Sequence, residues 1–206
     1  MSLTPVTRRL LAAAIAVFAV AAGALTFVVP ADVQLGTMVR LPIFHGASTW
    51  VNMALFALAG IFGLAYAATR RDSLYAWASA FRYLAVPWWI VNTVLGIVSM
   101  RLLWNVIDLS EPKLLATFGI MLGGGVVLAV DFGFQKRVLT GLADAVLAIG
   151  VWTLLLSARE FLHPDNPVMN SGPEIQIPFF GIVGSLLVAG VCAAVLIASR
   201  IPAEEG

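Results

Sequence analysis

Charge is scarce in this 206-residue chain. Only 11% of its residues are Asp, Glu, Lys or Arg, against about 25% in a soluble domain. So little charge cannot clothe a water-soluble surface. Net charge is only +1, which argues against a nucleic-acid partner, since such partners are held by phosphate-neutralising Lys and Arg. Cysteine is nearly absent. Cys192 stands alone in an apolar run, which excludes an internal disulfide, a CxxC redox pair and a CxxCH covalent haem site. No P-loop, Rossmann fingerprint, nucleophile–base pair or paired carboxylates at a cleft can be found. There is no internal repeat, low-complexity tract or soluble domain. Histidine occurs twice, at His45 and His163.

What is abundant is apolar sequence. Hydrophobic residues make up 61% of the chain, and mean hydropathy is +0.97. A spanning helix needs roughly 20 apolar residues. Six runs qualify, at about 10–29, 43–68, 83–103, 114–134, 138–157 and 178–199. The expected fold is an all-α integral membrane protein, a single six-helix transmembrane bundle over residues 1–206. The first run has weak cleavage sites near Ala21-Ala22. It is nevertheless longer than the roughly 7–15 residues of a signal-peptide core, so it reads as a retained helix. Pro42 suits a helix start, and Pro87 predicts a bend in the third span. About twenty residues, 158–177, carry three prolines and no helical period; connections that long are usually functional or disordered.

Orientation follows from Lys and Arg in the connections. One side receives Arg8, Arg9, Arg70, Arg71, Arg82, Lys136, Arg137 and Arg200; the other receives Arg40, Arg101, Lys113 and Arg159. The first side reads as cytoplasmic, which puts both termini inside. His45, in PIFHGASTW, then opens the second helix at the outer face. His163, in LHPDNP, lies in the third outer connection.

Neutral imidazole is a common metal ligand and an axial ligand of haem. Two imidazoles at one depth on separate elements can take both faces of a macrocycle. Alternatively, His45 serves the amides of a helix N-terminus and His163 is an ordinary loop residue. Arg40, Arg101, Lys113 and Arg159 stand on the face that positive-inside logic leaves poor in cations. Arg suits anionic carboxylates such as haem propionates; snorkelling to lipid headgroups is the other reading. Trp50, Trp104 and Trp152 fall in the outer half, where tryptophan is common at interfaces and where a flat cofactor also packs. Trp88-Trp89 is expected toward the inner end of the third span. His45, Thr49 and Asn52 share one helix face and, with Asn92, are expected to orient the histidine or join helices. Asp131 and Asp144 fall on the inner side, where pairing with Lys136, Arg137 or Arg82 is preferred to a proton relay. Gly119 and Gly123 match GxxxG, for packing within the chain or between chains.

Phe44-His45 with Trp50 five residues on resembles the second core helix of the cytochrome c assembly, or haem-handling, proteins of the CcmC type. Leu162-His163-Pro164 before the last helix resembles that family's second outer histidine. The tryptophan-rich outer loop of that family, with its WWxWD-like core, is degenerate here: RLLWNVIDLSEPK keeps only Trp104 and Asp108. The resemblance implies a non-covalent b-type haem at the outer leaflet, with His45 and His163 as iron ligands. Trp50, Trp104, Arg40, Arg101 and Arg159 complete the expected cofactor site. It implies haem handling for delivery rather than substrate turnover. The expected partners are lipid and other cytochrome c maturation or redox-complex subunits. Two alternatives stay open: a b-type cytochrome subunit passing electrons in a quinol-linked complex, and a haem-free anchor on the same scaffold.

Overall fold

The computed structural model describes residues 3–158 and 168–202. Among them are six helices long and apolar enough to cross a membrane: α1 (Pro5–Val28), α2 (Arg40–Thr69), α3 (Asp72–Trp104), α4 (Pro112–Phe134), α5 (Arg137–Ser157) and α6 (Pro173–Ala198), with a short 3₁₀ turn at Thr37–Val39 before α2. The protein is therefore an all-α, multi-pass membrane protein. Six crossings return the chain to the face on which it began.

Local chemistry sets the helix ends. Pro5 opens α1, and the Thr4 hydroxyl accepts from the Thr7 amide at 3.2 Å, the usual N-cap bond. The helices α2, α3 and α4 all stop at a left-handed residue: Arg70, Asn105 and Gln135.

All six helices begin earlier than the apolar runs suggested, α3 by the most. The start of α2 is Arg40, so Pro42 sits in its first turn, where a missing N–H costs nothing. The start of α3 is Asp72, whose carboxylate suits a helix N-terminus; Trp77, Phe81 and Arg82 therefore belong to the helix. Arg82 leaves the loop tally, and the Lys/Arg distribution becomes seven to four. The start of α6 is Pro173, and Pro178 lies inside it. At 1.5 Å per residue the 33 residues of α3 reach about 50 Å, beyond the roughly 30 Å hydrocarbon layer.

At the centre stands α2, packed against α3, α5 and α6, while α1 lies along α6 and α4 against α5 and α3. Lipid supplies no hydrophobic drive for this, so close backbone approach matters. The closest approach is between α2 and α5. A Cβ on Gly63 would stand 2.6 Å from the Gly141 carbonyl oxygen, and a Cβ on Gly141 2.6 Å from that of Gly63. Gly119 and Gly123 of the GxxxG match face Leu154 and Leu147 of α5, so that motif packs within the chain.

Asn52 is fully buried. With its amide oriented to match both neighbours, it donates to the Ala85 carbonyl at 3.1 Å and accepts from the Trp89 amide at 2.9 Å. These two groups flank Pro87, and α3 runs through that proline unbroken. Asn52 thus joins two helices where one of them lacks a backbone donor.

Candidate functional site

His45 lies in the second turn of α2 and is half-buried against α3. Its Nδ1 is 3.2 Å from the Asn92 Oδ1. The Asn92 amide nitrogen donates to the Thr49 hydroxyl at 2.8 Å, and that hydroxyl donates to the His45 carbonyl at 2.9 Å. These bonds fix one another. The Thr49 proton is committed to a carbonyl, so its oxygen must accept from Asn92. The amide oxygen of Asn92 then faces the ring and can only accept. Nδ1 must carry the proton, which places the lone pair of the neutral ring on Nε2.

Gly96, one turn along α3 from Asn92, admits the ring. A Cβ there would stand 2.9 Å from Cε1 and 3.1 Å from Nε2. The ring thus packs directly on the α3 backbone, which a side chain at residue 96 would prevent. Deeper in the same seam the Trp88 indole donates to the Ser48 hydroxyl at 2.7 Å. Trp88 and Trp89 are thus midway along α3 and not near its inner end, because the helix starts at Asp72.

At the C-terminal ends of α1 and α3 and the N-terminal end of α2 is a cleft of about 490 Å³ lined by Phe27, Met38, Arg40, Phe44, Leu95 and Leu102 among others. Phe44 and Leu95 immediately precede His45 and Gly96 on the same two helices, but neither His45 nor Gly96 lines the cleft. Arg40 donates through Nε to the Val29 carbonyl at 3.0 Å, and its guanidinium lies 6.0 Å from the Phe27 ring centre.

The other expected site residues are dispersed. Trp50 is turned away from His45: five residues rotate a helix position by about 140°, and Trp50 packs edge-on against Phe179 and Phe180 of α6. Arg101 donates to the Asn105 carbonyl and so covers the end of its own helix. Trp104 is the last residue of α3. Arg159 and His163 lie outside the described residues.

The connection between α3 and α4 is only residues 105–111. In it the Asp108 carboxylate accepts from the Ser110 hydroxyl at 2.6 Å and the Ser110 amide at 2.9 Å, and those bonds hold it below the usual carboxylate range. Asp108 is thus occupied in forming its own turn. Glu111, fully buried just before α4, and Gly96 were not foreseen; nothing in their local sequence marks either. Asn92 was recognisable as a polar residue in mid-span, but its partner is 47 positions away. Among the described residues no three His, Cys, Asp or Glu side chains gather as a bare-metal site. No protein-family model and no curated protein matches the sequence.

Proposed function

We propose that this chain is a haem-binding membrane protein of the cytochrome c assembly type. In this reading it holds a non-covalent b-type haem at the outer leaflet of the cell membrane, between His45 and His163. The observation that carries the reading is the His45–Asn92 bond. A metal-ligating imidazole characteristically gives its second ring proton to an acceptor, which fixes the tautomer and raises the basicity of the ligating nitrogen. Asn92 is such an acceptor, and Gly96 gives the ring room against α3. The donor set fits the group on the His45 side.

Arg40, at the apolar cleft, would pair with a propionate, as would Arg101 and Arg159; Trp104 would offer an aromatic surface. Trp50 would act from the α6 side, through packing. The haem itself would supply an iron centre for one-electron chemistry, or would be the cargo passed on. The seven-to-four distribution of Lys and Arg supports an outer location for His45.

One observation favours a second reading, that of a b-type cytochrome subunit in a redox complex. The α3–α4 connection spans only seven residues, 105–111, and its Asp108 is engaged in a turn. Delivery of haem to a partner would lack the broad aromatic platform of the family it resembles.

The deciding experiment is a visible spectrum of the protein purified from haem-replete cells. A six-coordinate, low-spin haem is expected in both oxidation states, extractable without thioether cleavage. His45→Ala and His163→Ala should each lose it or leave it high-spin while still inserting. A wild type without a Soret band refutes the proposal. Reduction by a quinol analogue, with no transfer to an apocytochrome, would select the second reading.

A further inference from the structure

One guanidinium and two carboxylates share a buried site near the other end of the bundle. Arg82 of α3 is 1% exposed, Asp131 of α4 7% and Asp144 of α5 2%. The cluster lies within one to about three turns of the nearby helix ends. Arg82 reaches Asp144 Oδ2 through Nη1 at 2.6 Å and Asp131 Oδ2 through Nη2 at 3.1 Å. The Tyr75 hydroxyl donates to Asp131 Oδ1 at 2.8 Å, and the Tyr83 hydroxyl to Asp131 Oδ2 at 2.5 Å. Ser79 accepts from Arg82 Nη2 at 2.8 Å.

Among the described residues the surrounding elements show no further ion pair to the two carboxylates. Gly60 and Gly63 of α2 lie against Asp144, with no side chain between. Tyr66 of α2 packs on Tyr75, with ring centres 5.2 Å apart. Arg137 of α5 lies 4.7 Å over the Tyr75 ring, but its ion pair is with Asp72, at 2.9 Å. One cation therefore faces two buried carboxylates. A lone excess charge in a low-dielectric interior is removed by protonation.

The hydrogen bonds say where that proton goes. Asp131 accepts from two hydroxyls, Tyr75 and Tyr83, beside its ion pair with Arg82, so both its oxygens are already engaged as acceptors. Asp144 takes Arg82 alone. We propose that Asp144 is an intramembrane proton acceptor that takes up one exchangeable proton. The carboxylate plus a proton becomes the acid; no electron moves, and no second reactant is needed.

Access is from one side. A cleft of about 380 Å³ lined by Tyr66, Arg70, Lys136 and Arg137 ends at the Tyr66–Tyr75 pair, and the Tyr75 hydroxyl is already bonded to Asp131. Toward the other face the cluster is closed by buried Val86, Trp89 and Ile120. The next polar group that way, Asn52, is committed to backbone. The arrangement therefore binds a proton and does not conduct one. It stands independently of the haem reading.

Infrared spectroscopy of the full-length protein in lipid nanodiscs tests this at neutral pH. The wild type should show one protonated-carboxyl stretch per chain, shifted down in D₂O. Asp144→Asn, which mimics the protonated acid, should fold and lose the band. Asp144→Glu should move it, and this variant decides the matter if the amide variant fails to fold. Asp131→Glu should leave it in place. The assignment is overturned by a folded wild type without the band, by a band that survives Asp144→Asn, or by a band that appears only when sodium is withdrawn.

Discussion

Asn92→Leu separates a ligand-orienting role from a structural one. The substitution keeps the branched shape of the side chain and removes the acceptor on the His45 Nδ1 proton. It also removes the donor to Thr49. Loss of such a supporting bond typically lowers metal affinity about 10–100-fold, equivalent to about 1.4–2.7 kcal/mol. The control is Asn52→Leu, two turns deeper on α2. Asn52 bonds the Ala85 and Trp89 backbone and not the imidazole, so its loss should cost about 1–3 kcal/mol of folding stability and leave haem affinity unchanged. Haem titration by Soret absorbance, beside unfolding in mixed micelles, reads the two quantities separately. Asn92→Leu should shift the first far more than the second, and Asn52→Leu the reverse. If both variants lose haem in proportion to stability, the Asn92–His45 bond is only helix glue and the ligand argument fails.

Gly96→Ala should abolish haem binding while the protein still inserts, because the new Cβ would lie 2.9–3.1 Å from the imidazole edge; retention of a normal Soret band would contradict the role given to this glycine. Gly63→Ala and Gly141→Ala should each destabilise by about 1–3 kcal/mol through overpacking. Their double variant should cost less than the sum, since the first already parts the helices; strict additivity would argue against the direct backbone contact. Asp32 accepts from the Leu35 and Gln34 amides, which hold its carboxylate below the ordinary range. Its contribution is present above its unfolded value and lost as pH falls through the lower folded one. Protection factors for amide exchange at Gln34 and Leu35, referred to the intrinsic rate at each pH, should therefore fall in acid, and Asp32→Asn should remove that dependence.

The six crossings were legible because each rests on a long apolar run, a property of neighbours in sequence. The helix starts were less so. Residues 72–82 fell outside the third apolar run because Arg82, Ser79 and Tyr75 are polar one by one; only their partners on α4 and α5 make them a buried set. Charge pairing of Asp131 and Asp144 was expected, but not that Arg82 alone would take both, leaving Lys136 out. Gly60 and Gly63 escaped notice because their spacing is GxxG, and because their importance lies in what α5 brings opposite them. At the candidate site, His45 and Asn92 were both marked, yet the tautomer that relates them is set by Thr49, through a chain of three bonds that no linear pattern encodes.

The pairing of α1 with α6 has a consequence for how the protein is made. Of the six helices, α1 leaves the ribosome ahead of the other five and has only Ala22 buried along its length, while its main neighbour, α6, emerges after them. Roughly 145 residues separate Val28 from Pro173. At about 5–20 residues per second, α1 waits ~7–30 s in the bilayer before its partner exists. During that interval the central helices α2 to α5 can assemble without it. A ribosome stalled before Pro173 should therefore yield a membrane-inserted intermediate whose α1 is open to lipid-soluble labels at Leu25, the residue that later meets Gly181.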